Sequence, residues 1–166
     1  MSEHPNAAVI RSAYEAISKA DMPAVAELLA DDITWYESTA GMEGVYHGRD
    51  QVLAFLGQVF QQAGMQMSVA IHDILANDDH AVILHESTLT VGDRTHTGQY
   101  TDVYHLRDGK ITAHWHLAVD PKADAEAASE LFASSHSHHS SPGSRAPGAR
   151  RSAGASARSA CSVRLS

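Results

Sequence analysis

The sequence predicts an α+β domain in which helices come first and an antiparallel sheet follows. Up to about residue 60, apolar residues recur mainly at helical steps of three and four. After Gly64 the period becomes two, and turn-forming residues separate four long alternating segments. Helices followed by a run of strands are typical of an α+β domain.

Three helices and one strand are predicted in the first 61 residues. Pro5 suits the first turn of a helix, and Asp21 is a suitable N-cap for a second helix that carries Val25, Leu28 and Leu29. Residues 33–37 are β-branched and aromatic, which indicates a strand. A glycine-rich loop follows, and Asp50 is then a candidate cap for a third helix. Its apolar stripe consists of Val52, Leu53, Leu56, Val59 and Phe60.

The later strands are predicted near 66–76, 80–91, 96–107 and 110–119, with a short helix over 121–132. Asp108-Gly109 joins the last two strands, because this dipeptide readily takes the positive φ angles of a tight hairpin turn. The strand before the turn carries an acid between two tyrosines on one face: Tyr100, Asp102 and Tyr104. We interpret this face as a pocket wall.

Composition divides the chain into a domain over residues 1–132 and a tail over 133–166. The domain has 7 basic and 20 acidic residues, whereas the tail has five arginines and no acid. Such an acidic domain argues against nucleic acid as a partner. The tail lacks the apolar residues needed to offset chain entropy, so we expect it to be disordered.

The apolar runs, the N-terminus and the cysteine content of the chain indicate where the protein is located. No apolar run approaches the ~20 residues of a membrane span. The N-terminus lacks the basic and apolar regions of a secretory signal. Cys161 is the one cysteine, so no intrachain disulfide can form. We therefore expect a cytoplasmic protein without membrane contact.

Three segments, residues 14–38, 44–56 and 108–120, resemble the SnoaL-like and ketosteroid isomerase-like branch of the nuclear transport factor 2-like superfamily. The most specific motifs are ADDITW, YHGRDQVLAFL, and DGKI followed by HW and an aspartate. The resemblance implies a cone-shaped, curved antiparallel sheet wrapped around N-terminal helices and enclosing a pocket for apolar small molecules. It also implies a homodimer formed through the outer face of the sheet.

The resemblance also implies site residues. Glu37 matches the general base of the isomerases, and Asp102 matches their neutral aspartic acid, which donates to the developing oxyanion. The isomerase oxyanion tyrosine falls on Ala13, one place before Tyr14. In SnoaL-like cyclases, acid and histidine side chains on the late strands transfer protons, and Asp102 with His114 is the matching pair.

The register of the last hairpin leaves two alternatives open. A plain two-residue turn pairs Asp102 with Trp115, which puts Trp115 on the face of Asp102 and turns His114 away. The resemblance instead puts His114 on the pocket side, and a bulge or a longer turn would reconcile the two. The residues expected to shape the pocket are Tyr14, Trp35, Tyr104 and Trp115.

These residues favour a small cofactor-free enzyme that performs acid–base chemistry (isomerisation, cyclisation or dehydration) on an apolar carbonyl compound. The alternative is a non-catalytic module that binds a small molecule or mediates dimerisation. His114 and His116 are spaced as a metal pair on one strand, but no third ligand stands at a convincing spacing. We therefore expect no metal and no cofactor.

Overall fold

The fold is described from a computed structural model, for residues 2–39, 42–61 and 65–133 and for the backbone of 160–165. None of the helices in these ranges is long and apolar enough to cross a membrane. The elements are, in chain order, α1 (Pro5–Ser18), α2 (Met22–Leu28), β1 (Leu29–Glu37), β2 (Gly44–His47), α3 (Arg49–Gln61), β3 (Met65–Ala76), β4 (His80–Val91), β5 (Arg94–Arg107), β6 (Lys110–Ala118), α4 (Pro121–Phe132) and β7 (Ala160–Leu165).

The strands form one sheet in the order β2-β1-β6-β5-β4-β3-β7. Strands β3 to β6 pair antiparallel with their chain neighbours, as predicted. Strand β1 lies parallel to β6, and β7 lies parallel to β3. The sheet is curved and mostly antiparallel, and with the helices it forms the α+β cone. The predicted fold class is thereby confirmed.

Side-chain bonds hold the starts of the first two helices. Pro5 is the first residue of α1, as predicted, and the Asn6 amide donates to the carbonyl oxygens of Asn77 (2.8 Å) and Asp78 (3.0 Å). These bonds tie the start of α1 to the turn between β3 and β4. Asp21 caps α2 by accepting from the backbone N–H of Ala24 at 3.2 Å.

Three boundaries differ from the sequence predictions. Gly44–His47 is a strand rather than part of a loop, because it pairs with β1. Leu29 begins β1 instead of ending α2, because its backbone is extended. Asp50 is not the cap of α3 but lies in its first turn, since the helix already begins at Arg49.

The hydrophobic core lies between the helices and the concave face of the sheet. Its most deeply buried residues come from both layers: Ile10 of α1, Val52 of α3, Ile33 of β1, Ile83 of β4 and Ile111 of β6. Because α1 and α3 supply one side of this core, the residues next to it on the inner sheet face also point towards these helices.

The hairpin between β5 and β6 contains one extra residue. Asp108 (φ +52°) and Gly109 (φ +73°) make the predicted turn, and Leu106 pairs with Ile111. The next pair is His105 with Ala113, so Thr112 has no partner in the ladder. This β-bulge shifts the register by one residue, and every later side chain of β6 changes face.

The sequence predicts disorder over residues 133–166, and residues 134–159 of this tail lie outside the described residues. Residues Ala160–Leu165 form β7, which pairs with β3 from Gln66↔Ala160 to Ile71↔Leu165.

Two glycines with open surroundings give a stability prediction. No atom lies within 4 Å of a Cβ added at Gly57, which lies inside α3, or at Gly109. We expect Gly57→Ala to raise the free energy of unfolding by about 0.5–1 kcal/mol, because alanine favours helices over glycine. Gly109→Ala should lower it by about 1–2 kcal/mol, because its φ is left-handed. Urea unfolding measures both, and equal effects would contradict the assigned backbone.

Candidate functional site

A cavity of about 150 Å³ lies between the inner face of the sheet and helices α1 and α3. Six of the seven residues that sequence reasoning selected line it: Tyr14, Trp35, Glu37, Asp102, Tyr104 and His114. The seventh, Trp115, is not among the lining residues. The structure therefore brings most of the predicted site into one space.

The cavity has an apolar part and a polar end. Helix α3 and strand β3 supply most of the apolar lining: Phe55, Leu56, Val59, Phe60, Met65, Met67 and Val69. The polar end is formed by Tyr14 of α1 and by inward residues of β4, β5 and β6. Such a partition suits an apolar molecule that presents one polar group to a fixed set of side chains.

Asp102 is the centre of the polar end. The residue is 4% exposed, and both carboxylate oxygens have partners. The Tyr14 hydroxyl donates to Oδ2 at 2.5 Å, and Nδ1 of His116 lies 2.6 Å from Oδ1. The Tyr104 hydroxyl in turn donates to the Tyr14 hydroxyl at 3.1 Å. A buried carboxylate is thus held by partners from α1 and β6.

Two further histidines approach the same carboxylate. Nε2 of His85 lies 3.3 Å from Oδ1 of Asp102, and Nε2 of His114 lies 3.5 Å from Oδ2. Neither contact has hydrogen-bond geometry, so His85 Nε2 and both ring nitrogens of His114 are buried without a partner. The His114 ring also packs on Trp35, with ring centroids 3.8 Å apart.

Strand register explains why these groups meet. Asp102 pairs with His116 on one side and with Ile83 on the other, so all three residues share the inner face. His85, two places beyond Ile83, points the same way. The bulge at Thr112 is what brings His116 opposite Asp102.

Because of the same bulge, the plain two-residue register is wrong where it pairs Asp102 with Trp115. Trp115 pairs with Val103 instead, and on the outer face its ring stacks on Tyr36 with centroids 5.1 Å apart. The expectation that Trp115 shapes the pocket is therefore wrong. His114 takes the inner position opposite Tyr104.

A family model of the SnoaL-like domain matches residues 10–114, which is more than half of the chain. The chain belongs to the SnoaL-like family. The resemblance found in the sequence is confirmed.

The uncharacterised Mycobacterium tuberculosis protein Rv0034 is 27% identical over 84 residues, which cover 50% of this chain and 64% of Rv0034. The chain therefore matches less than two thirds of that relative's length. An NTF2-like protein of unknown function from Burkholderia pseudomallei has a TM-score of 0.67 at 24% identity, covering 78% of this chain and 98% of its own. An M. tuberculosis LEH-like epoxide hydrolase has a TM-score of 0.63 at 19% identity, covering 78% and 92%. At these identities the likeness shows the fold.

The isomerase resemblance implies that Asp102 is a neutral acid, but the surroundings of Asp102 in this site favour its ionised form. Burial by itself would raise the pKa of Asp102, but the charge on His116 and contacts from His114, His116 and His85 outweigh it. The pKa lies well below its usual value, so Asp102 is a carboxylate and not the expected neutral acid. Burial lowers the pKa of His116, but Asp102 raises it more strongly, to about 9.

Tyr14 takes part in the site although the sequence match placed the isomerase tyrosine on Ala13. Ala13 is buried in the core, whereas the Tyr14 hydroxyl bonds Asp102. Burial raises the pKa of Tyr14 well above its usual value, and the charge of Asp102 adds to this. Tyr14 therefore stays a neutral donor.

Glu37 lines the cavity at the end of β1. Its Oε1 accepts from the backbone N–H of Thr39 at 3.0 Å and from the Thr39 hydroxyl at 2.6 Å. Nε1 of Trp35 lies 3.5 Å from Oε2. A second carboxylate is thus held in the cavity wall by local bonds, and the charge of Glu37 also contributes to raising the pKa of His116.

Sequence reasoning did not select His85 for the site, considered His116 only as a metal ligand, and placed Tyr100 on the pocket-wall face without a role. All three line the cavity. The ring of Tyr100 stacks on His116 and on His85. A signal for His85 was present in the alternation of β4, where it continues the phase of buried Ala81 and Ile83. A polar residue on the buried phase of a strand indicates a polar partner inside.

This SnoaL-like site offers two kinds of chemistry. An imidazole bonded to a buried carboxylate is an oriented proton carrier, as in other carboxylate–histidine pairs. Separately, the ligand atoms of His85, Asp102 and His116 all lie within 4.8 Å of one another, a spacing that suits a metal ion.

The tyrosine contacts predict a graded loss of stability. We expect Tyr14→Phe to lower the free energy of unfolding by about 1.5–3 kcal/mol, since it removes a buried hydrogen bond to a charged group. Tyr104→Phe removes a neutral bond and should cost about 0.5–1.5 kcal/mol. Tyr36→Phe on the outer face is the control, with an expected change near zero. Urea unfolding followed by tryptophan fluorescence ranks them, and a Tyr14→Phe variant as stable as Tyr36→Phe would contradict the network.

Proposed function

We propose that this SnoaL-like domain is a small cofactor-free enzyme that moves protons on an apolar carbonyl compound, in a reaction of the isomerase, cyclase or dehydratase type. The observation that carries the proposal is the buried Asp102 carboxylate, hydrogen-bonded to Tyr14 and in contact with His116 at the polar end of an apolar cavity. A binding pocket needs no such group, because burying a carboxylate costs several kcal/mol unless it is fully partnered.

The contacts of Asp102 indicate its role. Both oxygens are taken by Tyr14 and His116, and the side chain is 6% exposed, so little of the carboxylate reaches the cavity. We infer that Asp102 orients His116 through Nδ1, which leaves Nε2 of His116 to exchange a proton with the substrate. Because the pKa of His116 is about 9, its ring is an imidazolium at neutral pH, and Nε2 gives a proton to the substrate while Glu37 accepts one.

The other residues have complementary roles in the proposal. Glu37 is the proton acceptor in the cavity wall. Neither ring nitrogen of His114 has a partner, so its one N–H is available to donate to the carbonyl oxygen of the substrate, where negative charge develops. Trp35 packs on the His114 ring and holds its orientation. The apolar side chains of α3 and β3 bind the remainder of the molecule and exclude water.

The likeness to an LEH-like epoxide hydrolase supports an enzyme on this fold, but the fold carries many activities. A cytoplasmic location is part of the same proposal, supported by the lone cysteine.

Proton abstraction can be tested without knowing the natural substrate. Bicyclic ketones such as 2-tetralone are first screened for binding by Trp35 fluorescence in a Trp115→Phe background, since the chain has two tryptophans. Binders are then placed in D₂O, and the exchange of their α-protons is followed by NMR. We expect His116→Gln and Asp102→Asn to slow exchange by about 100-fold or more, which is the usual contribution of a positioned acid or base.

The matched control for this experiment is His105→Gln, an exposed histidine of β5 on the outer face. With this variant, the α-protons of the ketone should exchange as fast as with the parent protein. Ketones that bind but exchange no faster in the parent than in His116→Gln would identify a binding module and contradict the enzyme.

We also propose that a second copy of the chain covers the outer face of the sheet, as the family resemblance implies. The support is an apolar stripe that crosses β1, β6, β5 and β4 on that face. Tyr36 and Leu117 in it are 37% and 48% exposed, and Leu84 is 36% exposed. Pairings of Tyr36 with Trp115 and of Leu84 with Thr101 connect the stripe across the strands.

Substitution of the stripe tests the dimer. We expect the parent to sediment as a dimer and Leu117→Lys to sediment as a monomer, because a charge would be buried in the interface. Ala8→Lys, on the exposed side of α1, should leave the dimer intact. A monomeric parent, or a dimer that survives Leu117→Lys at every concentration, would rule out this interface.

A further inference from the structure

His85, Asp102 and His116 have ligand atoms on three adjacent strands that converge on one point. One ligand atom from each residue lies within 4.8 Å of the other two. The nitrogens that approach Oδ1 of Asp102 on β5 are Nε2 of His85 on β4, at 3.3 Å, and Nδ1 of His116 on β6, at 2.6 Å. The side chains of His85 and Asp102 are 3% and 6% exposed, and that of His116 is 16% exposed. The cluster faces the cavity, so further ligand positions are open on that side.

The contacts of His85 favour a cation between its ring and Asp102. Nδ1 of His85 lies 3.1 Å from the Ser87 hydroxyl, whereas Nε2 is buried without a hydrogen bond and lies 3.3 Å from Oδ1 of Asp102. If Nδ1 carries the proton and donates it in a hydrogen bond to Ser87, then Nε2 has a lone pair that faces a carboxylate oxygen. Two acceptors in a buried place repel each other unless a positive ion lies between them.

Outer contacts of the kind that metal ligands have are already present. Ser87 fixes the ring of His85, and the Tyr14 hydroxyl holds Oδ2 of Asp102, leaving Oδ1 directed at the histidines. Ligating histidines and carboxylates usually have such partners on their outer atoms, and these partners set the orientation of the ligand.

From this geometry we propose that His85, Asp102 and His116 bind a divalent transition-metal ion. Two imidazoles and one carboxylate with open positions suit zinc or iron(II), whereas calcium and magnesium prefer sites made of oxygen atoms. The ion replaces the contact between His116 and Asp102 and takes one lone pair from each of the three residues. His114, which faces the other oxygen of Asp102, is outside the ligand set.

The metal site goes beyond the proposed acid–base function and excludes it when filled. An ion on Asp102 and His116 occupies the groups that the proton-transfer reaction needs, so the metal-loaded protein should be inactive in proton exchange. The site itself stands on ligand geometry and is measured without any substrate. Failure of one proposal therefore leaves the other intact.

The sequence expectation of no metal rested on the absence of a third ligand near His114 and His116. Pairing in the sheet supplies that ligand from β4, 31 positions before His116 in the chain. His114, the other member of the expected pair, contacts Asp102 through a different oxygen.

Cobalt(II) is the probe, because its visible ligand-field bands differ between a protein site and the hydrated ion. The full chain is used with His136, His138 and His139 replaced by asparagine, so that these neighbouring histidines cannot bind the probe. We expect one Co²⁺ per chain, with bands distinct from those of the hydrated ion, and displacement of Co²⁺ by added Zn²⁺.

Three variants of this background test the ligand set. His85→Gln and His116→Gln should each abolish the bands. Ser87→Ala should weaken Co²⁺ binding by roughly 10- to 100-fold, the usual effect of losing an outer partner of a ligand. His105→Gln is the control, because it breaks up the surface His80–His105 pair, and it should bind like the background.

Calorimetric titration gives the affinities, and circular dichroism checks that each variant is folded. The proposal is overturned if the background shows only the spectrum of hydrated Co²⁺, or if folded His85→Gln keeps the bands. Loss of binding in His105→Gln would move the site to the surface pair and would also overturn it. If His85→Gln does not fold, the Ser87→Ala affinity decides, and an unchanged value counts against the site.

Discussion

The buried charge of Asp102 is the constraint on which the rest of the site depends. A carboxylate that is 4% exposed requires partners that its surroundings hold in place, since an unpaired buried charge costs several kcal/mol. Tyr14 can reach it only because α1 is anchored at its start by Asn6, and His116 only because the last hairpin is bulged. Helix anchoring, strand register and the charge are thus parts of one arrangement.

That arrangement also separates this chain from the isomerases it resembles. A neutral aspartic acid in an apolar surrounding donates a hydrogen bond to a substrate oxygen, and its apolar site keeps it neutral. Here three imidazoles surround the acid, and its pKa lies well below the usual value. In the proposed function the donors are therefore the rings around the carboxylate. The matching position in the fold is kept while its chemistry is reversed.

The two proposals, proton transfer and metal binding, use the same convergent lone pairs. Which one operates depends on whether a proton or a divalent ion occupies the space between Asp102 and His116. The apolar lining of the cavity serves either use, because it keeps water from competing for the polar groups. Metal availability would then control activity through direct competition, with no change of shape required.

Much of the fold was readable from local signals, whereas the site depended on distant ones. Pro5, Asp21 and Asp108-Gly109 act on the backbone next to them, and each performs as predicted. Tyr14 and His85 reach Asp102 across 88 and 17 positions of sequence, and no local pattern names Asp102 as their partner. The register of β6 could be stated only as two alternatives, because a bulge has no signature in the residues around Thr112.

Thr112 gives the hairpin a property that substitution scans would not reveal. In a strand, the face of each side chain depends on whether an odd or even number of residues separates it from the turn. With the bulge, inward positions fall on His114 and His116; without it, on Ala113 and Trp115. If the ladder closed without a bulge while Thr112 stayed in the chain, an indole wall would replace the imidazole wall. Deletion of Thr112 would instead leave a regular ladder in which His114 and His116 still point inward.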